Sequence, residues 1–223
     1  CTNLSFTSKV EGSDARMIVI SSVGPSEGKT TVSVNVAAAL AENGAKVLLI
    51  DADLRHPSVA ERLSLEGGAG LTHVLSGQAT VKDVVQRYWK PNLHILPAGP
   101  KPPNASMLLN SKTMTELLDA ALQTYDYVII DCPPSLGLLV INAMCAVHEM
   151  LIPIQAEYYA LEGLGQLINT IGLVQEHYNP SLLVSTMLIT MYDKRTLLSR
   201  EVHGEVKKHY PTIVLDTTIP RTV

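Results

Sequence analysis

A loop rich in small residues, placed between an apolar segment and a helical segment, constrains this chain more than any other feature. Residues 17–21 are mostly apolar and β-branched, which predicts a buried strand, and residues 29–43 show a helical pattern. The loop between them reads Val23, Gly24, Pro25, Ser26, Glu27, Gly28, Lys29, Thr30 and Thr31. A strand, a loop of this kind and a helix together form the context of a phosphate-binding loop.

We expect residues 24–31 of this loop to bind the phosphates of a nucleotide. Gly28 lets the backbone approach the phosphates, and the N–H groups at the start of the helix supply positive potential. Lys29 would reach the β- and γ-phosphates of ATP, and the Thr30 hydroxyl would bind Mg²⁺. Val23 stands where the strict GxxxxGK[ST] pattern has its first glycine, so an ordinary Gly/Pro turn before a helix is the alternative.

Two further apolar segments end in aspartate. Residues 47–50 precede Asp51 and Asp53, and residues 128–130 precede Asp131. In a doubly wound sheet, ligands bind at the carboxyl ends of the strands, so these carboxylates would converge on the loop. We expect Thr30, Asp51, Asp53 and Asp131 to form the Mg²⁺ site, with Asp53 orienting the attacking water and Lys29 as the other catalytic residue. The alternative is that each aspartate is only a turn residue or a helix cap.

The alternation of strand and helix patterns predicts an α/β fold with a doubly wound, mainly parallel sheet and helices on both faces. Strands are predicted at residues 17–21, 46–51, 92–97, 127–131, 150–154 and 184–191. Helices are predicted at residues 29–43, 113–123, 138–146, 161–177 and 195–209, with Gly44 as the C-cap of the first. We expect residues 1–223 to form one domain. The missing initiator Met and the abrupt end at Val223 predict a chain truncated at its C-terminus.

Composition narrows the classes of partner and site. The net charge of -4 excludes general adhesion to nucleic acid, so any DNA contact must come from a local basic patch. Three cysteines without metal-ligand spacing indicate a reducing compartment, and with no apolar run of membrane-spanning length we expect a cytoplasmic protein. The seven histidines also lack metal-ligand spacing and are interpreted as surface or core residues.

These motifs resemble the ParA/MinD superfamily of deviant Walker ATPases. Residues 1–134 look like the catalytic domain of bacterial tyrosine autokinases of capsule and exopolysaccharide synthesis, on the segments 25–30, 50–55 with Pro57, and 102–106. Residues 132–223 look like ParA/Soj partition ATPases, on the segments 132–137 and 152–163 and on Arg195, Thr196 and 219–221. The chain therefore has a hybrid character.

The resemblance implies partners as well as a fold. Partition ATPases carry a signature lysine that reaches the partner subunit's ATP, and Gly24 occupies that position here. The second part implies an ATP-dependent homodimer that binds nonspecific DNA through Arg195, or binds a ParB-like protein. The basic residues that follow Arg195 are interleaved with acids, so a solvated helix face is the alternative.

Three functions remain open at this stage. The first is a nucleotide switch, in which ATP closes the dimer and hydrolysis releases its partner. The second is a tyrosine kinase that uses the same site and a membrane adaptor of a polysaccharide exporter. The third is a binding-only relative without catalysis, which the complete set of Lys29, Thr30, Asp51, Asp53 and Asp131 disfavours.

Overall fold

The computed structural model describes residues 15–134, 138–157 and 159–221. Its strands are β1 (Arg16–Ile20), β2 (Val47–Asp51), β3 (Gln86–Tyr88), β4 (Lys90–Leu96), β5 (Tyr127–Asp131), β6 (Glu149–Gln155) and β7 (Leu183–Thr190). Its helices are α1 (Lys29–Glu42), α2 (Val59–Leu63), α3 (Leu71–Leu75), α4 (Val81–Val84), α5 (Ala105–Leu109), α6 (Lys112–Leu122), α7 (Leu138–Ala146), α8 (Tyr159–His177) and α9 (Leu197–His209).

The seven strands form one sheet in the order β3-β4-β2-β5-β1-β6-β7, and every pairing except β3 with β4 is parallel. Successive side chains of a strand point to opposite faces, and in β1 both sets are apolar. Met17 and Val19 join the core under α3–α9, whereas Ile18 and Ile20 join the core under α1 and α2. Helices therefore cover both faces, which confirms the predicted fold class.

The predicted elements occur with small changes of boundary, and the sequence missed five short ones. The strand β3 is an antiparallel edge strand of three residues, and α2, α3, α4 and α5 have five residues or fewer, too few to show a helical period. The prediction that a helix begins at residue 195 was wrong, since Thr196 caps α9 by accepting a hydrogen bond from the N–H of Ser199. Gly44 follows the C-cap Asn43 in the left-handed conformation that ends many helices.

Some sequence expectations lie outside the described residues. These concern residues 1–14 of the kinase-like part, which include Cys1, and residues 135–137 and 158 of the partition-like segments. Within the described ranges, no helix has both the length and the apolarity needed to cross a bilayer.

Candidate phosphate-binding site

The loop between β1 and α1 turns tightly at two residues. Ser26 and Gly28 adopt positive φ angles of 61° and 84°, so the chain turns tightly before the first helical residue, Lys29. A left-handed conformation costs a residue with a β-carbon free energy, which explains glycine at position 28. The Thr190 hydroxyl at the end of β7 donates a 2.8 Å hydrogen bond to the carbonyl of Glu27 and holds the loop against the sheet.

Lys29 lies between two of the predicted aspartates. Its Nζ is 3.4 Å from Oδ1 of Asp131 and 3.7 Å from Oδ2 of Asp53, and all three side chains are at least nine-tenths buried. These residues come from α1, the end of β5 and the loop after β2, which β1–β5 and β2–β5 pairing places side by side. The structure therefore brings together the lysine and two of the carboxylates that the sequence singled out.

Asp131 is the polar centre of this arrangement. Its Oδ2 accepts a 2.8 Å hydrogen bond from the Thr30 hydroxyl, and its Oδ1 accepts a 2.9 Å bond from the Ser33 hydroxyl. Burial raises the pKa of Asp131, while the Lys29 ammonium and the two hydroxyl donors act in the opposite direction. Ser33 was missed in the sequence, although it lies one helical turn after Lys29 and donates to that residue's carbonyl as well.

Asp51 has a different set of contacts. Its Oδ1 accepts from the N–H of Asp53, and its Oδ2 accepts from the N–H groups of Ser58 and Val59 at the start of α2. Burial, and then the charge of Asp131, raise the pKa of Asp51 to about 7. Both carboxylate oxygens thus fix the loop between β2 and α2, and the predicted metal role of Asp51 stays a prediction.

A cavity of about 540 Å³ opens beside the loop. Six of the eight predicted nucleotide-binding residues line it, together with Asp53 and five residues that the sequence did not indicate. The six are Pro25, Ser26, Gly28, Lys29, Thr30 and Thr31, and the five are His56, Ser58, Arg62, Pro134 and Met191. Ser58 and Arg62 lie one turn apart at α2, a helix too short to be recognised from its pattern.

Glu27 and Gly24, the other two loop residues, are not among the residues that line the cavity. The Glu27 side chain is buried, and a β-carbon on Gly24 would lie 3.5 Å from its Oε1. Within the described ranges, the Glu27 Oε2 is buried and has no hydrogen-bond partner. Burial, with a smaller contribution from Glu157, raises the pKa of Glu27 to about 7, which the backbone hydrogen bonds of Gly24 and Val23 oppose.

The oxygen atoms at this site suit a magnesium ion. The Thr30 hydroxyl and Asp131 Oδ2 are hard oxygen donors 2.8 Å apart, and Thr30 lines the cavity. Among residues 15–134, 138–157 and 159–221, no group of three or more His, Cys, Asp or Glu side chains is arranged as a complete metal cage. Magnesium usually keeps several waters and takes substrate phosphates as ligands, so a partial set of protein ligands fits it.

The predicted DNA-binding residue lies away from this cavity. The Arg195 guanidinium is exposed and pairs with Asp193, with Nη2 2.8 Å from Oδ2 and Nε 3.0 Å from Oδ1. This pairing lowers the pKa of Asp193 to about 2. On α9, Lys207 pairs with Asp216, and Lys208 lies 3.8 Å from Glu205. Much of the basic charge near Arg195 is therefore already neutralised.

Comparisons with known proteins agree with this geometry. The family described as AAA domain matches residues 15–184. The sporulation initiation inhibitor protein Soj of Bacillus subtilis is 42% identical over 217 residues, which are 93% of this chain and 85% of Soj. The likeness to Soj thus extends well beyond the second part of the chain.

Solved structures show the same relationship. Cobyrinic acid a,c-diamide synthase from Mycobacterium smegmatis, with bound ADP and magnesium, has a TM-score of 0.82 at 33% identity and covers 93% of this chain and 87% of its own. The kinase domain of the Escherichia coli tyrosine kinase ETK has a TM-score of 0.71 at 27% identity and covers 81% and 68%. With the loop, the buried lysine and the acidic strand ends in place, these likenesses show that the chain belongs to the ParA/Soj family of P-loop ATPases.

Proposed function

We propose that this chain is a nucleotide switch of the chromosome-partition type, which binds MgATP at the loop around Lys29 and hydrolyses it. One observation carries the proposal: Lys29, Asp53 and Asp131 meet at the carboxyl ends of neighbouring parallel strands, beside a cavity lined by the phosphate-binding loop. Soj of Bacillus subtilis is 42% identical over most of both chains, and proteins named for chromosome partitioning are 37–38% identical, which supports a switch of the partition type.

The roles of the site residues follow from their positions. Lys29 would leave its carboxylate partners and neutralise charge on the β- and γ-phosphates as that charge develops. Asp53, at the edge of the cavity, would orient the attacking water and accept its proton. Thr30 and Asp131 would hold Mg²⁺, the former directly and the latter through its hydration shell. Bound Mg²⁺ would supply further charge neutralisation at the phosphates.

The proposed output is a change in association. ATP would favour a homodimer, and the dimer would bind nonspecific DNA through the surface around Arg195, or a ParB-like partner. Two copies present twice the number of phosphate contacts, so dimerisation would raise DNA affinity. Because Arg195 is paired with Asp193, we expect that affinity to be weak and sensitive to salt.

The second candidate is a protein-tyrosine kinase that binds a membrane adaptor of a polysaccharide exporter. The structural likeness to the ETK kinase domain, at 27% identity over 81% of this chain, favours it. In that case the same site would transfer the γ-phosphoryl group to a tyrosine hydroxyl instead of water.

Three measurements on the purified chain separate these functions. We expect release of inorganic phosphate from ATP, ATP-dependent binding of random-sequence duplex DNA at low salt, and no label on tyrosine from γ-labelled ATP. Phosphotyrosine without DNA binding would favour the kinase. Binding of ATP without either product would favour a binding-only relative.

A further inference from the structure

One exposed arginine of the cavity lining is not used by the roles described above. Arg62, on α2, lines the same cavity as Lys29. Among the residues that the structure describes, its guanidinium has no hydrogen-bond or ion-pair partner. Among the described residues, the lining contains one lysine and one arginine, and the lysine, Lys29, already lies near two carboxylates. Arg62 is therefore the cation whose charge is least compensated at this site.

Contacts at the start of α2 fix the position of this helix, and so of Arg62, relative to the phosphate-binding loop. Asp51 holds the start of this helix through the N–H groups of Ser58 and Val59. Ser58 Oγ then lies 2.9 Å from the Thr30 hydroxyl. This contact between the Ser58 and Thr30 side chains connects the N-terminal end of α2 to the first turn of α1, so α2 lies on the same side of the cavity as Thr30.

Arg62 follows Ser58 by one helical turn. Its backbone N–H donates to the carbonyl of Ser58 at 3.1 Å, and residues four apart share one face of a helix. Both residues line the cavity, so that shared face is turned towards it. Arg62 thus lines the cavity one turn from Ser58, the residue of this face that contacts Thr30, and the terminal phosphates would lie between Thr30 and Lys29.

We propose that Arg62 binds the γ-phosphate of ATP and makes the site distinguish ATP from ADP. A guanidinium presents paired N–H donors that match phosphate oxygens, and an unpaired one need not break an existing ion pair before it binds. The proposal rests on the proposed nucleotide-binding function. It assigns to α2 the detection of the terminal phosphate, and α2 is linked to the loop through Ser58.

The test is calorimetry with Mg²⁺ and either a nonhydrolysable β,γ-imido ATP analogue or ADP. The variants are Arg62→Ala, Arg62→Lys and the control Arg87→Ala, which removes an equal charge from an exposed position on the edge strand β3. We expect Arg62→Ala to weaken binding of the analogue about tenfold or more, with ADP binding changed less than about twofold. Arg62→Lys should retain part of the preference, and Arg87→Ala should behave as wild type.

An equal loss of affinity for both nucleotides, or no loss for either, would overturn the inference while leaving the proposed function intact. If the wild type binds neither nucleotide, the proposed function fails as well. Circular dichroism of each variant checks that the fold is retained. Because Arg62→Lys preserves a cation and the helix, its expected partial loss of the preference for the ATP analogue over ADP can be measured even if Arg62→Ala unfolds.

Discussion

Gly163 on α8 and Val23 at the start of the phosphate-binding loop approach so closely that no side chain fits between them. A β-carbon built on Gly163 would lie 2.0 Å from Cγ1 of Val23. A contact this short is not tolerated by real side chains, so the Val23 side chain or one of the two segments would have to move. The start of α8 thus packs against the start of the loop, and the absence of a β-carbon at position 163 is what allows the contact.

Gly163→Ala should displace the loop. We expect the free energy of unfolding to fall by about 1–3 kcal/mol from overpacking, and ATP affinity to fall with it. Gly165→Ala is the matched control, since position 165 lies in the same helix and no atom of the described residues lies within 4 Å of a β-carbon built there. That control should gain about 0.5–1 kcal/mol from helix propensity. Chemical denaturation and calorimetry measure both quantities, and adding Val23→Ala to Gly163→Ala should restore stability if the contact is the cause.

Lys29→Ala should abolish MgATP binding. The substitution removes the ammonium nearest the predicted phosphate positions and leaves Asp53 and Asp131 without their shared cation. Uncompensated carboxylates then repel the nucleotide. Calorimetry of the folded variant is the measurement, with Lys29→Arg as the variant that keeps the charge. Affinity equal to wild type in Lys29→Ala would show that this loop does not bind the phosphates.

Asp53→Ala should separate binding from hydrolysis. Orienting a water matters only on the way to the transition state, so kcat should fall about 100-fold or more while the ATP dissociation constant changes only a few-fold. Asp53 also accepts the N–H of His56, so Asp53→Asn is a useful second variant that keeps the shape of that loop. Steady-state phosphate release measures the effect. Unchanged turnover would transfer the role to Asp51.

The residues that the structure brings together at the candidate site could be predicted from the strand and loop patterns, because these patterns are local in the sequence. Residues 17–20 and 128–130 place apolar side chains on both faces of their strands, which only a sheet covered on both sides accommodates. Asp131 comes directly after the second of these segments, so its position at the carboxyl end of a central strand could be predicted. Ser58 and Arg62 could not be found in this way. Their helix has five residues, and it is held by the Asp51 carboxylate and by Thr30, contacts that exist only in three dimensions.

Glu27 should make stability depend on pH. Burial raises its pKa from 4.5 to about 7, with the nearby Glu157 adding to the effect and the Val23 and Gly24 hydrogen bonds opposing it. Glu157 is itself paired with Arg221 at 2.9 Å. A folded state whose carboxyl pKa is raised binds its proton more tightly than the unfolded state. The contribution of Glu27 to the free energy of unfolding is therefore fully present below about pH 4.5 and is lost as the pH rises through 7.

Glu27→Gln removes this titration while keeping the size of the side chain. Relative to wild type, its free energy of unfolding should increase by about 1–3 kcal/mol between pH 5 and pH 8. Denaturation at both pH values measures the difference, and the comparison with wild type cancels the titration of Asp51 and Asp131. A difference that does not change with pH would show that Glu27 is charged at both values.

The pair formed by Arg195 and Asp193 predicts how this chain would bind DNA. Because the guanidinium already contacts both carboxylate oxygens of Asp193, a DNA phosphate must compete with that carboxylate. Arg195→Ala should therefore weaken ATP-dependent binding to random-sequence duplex only a few-fold, whereas Asp193→Asn, which releases the guanidinium, should strengthen it. The strengthened variant should also lose affinity more steeply as salt increases, since one more phosphate contact releases one more counterion. Fluorescence anisotropy on labelled duplex at two salt concentrations measures both effects. If Asp193→Asn weakens binding as Arg195→Ala does, the pair serves to hold the loop before α9 in place, and the DNA surface lies elsewhere.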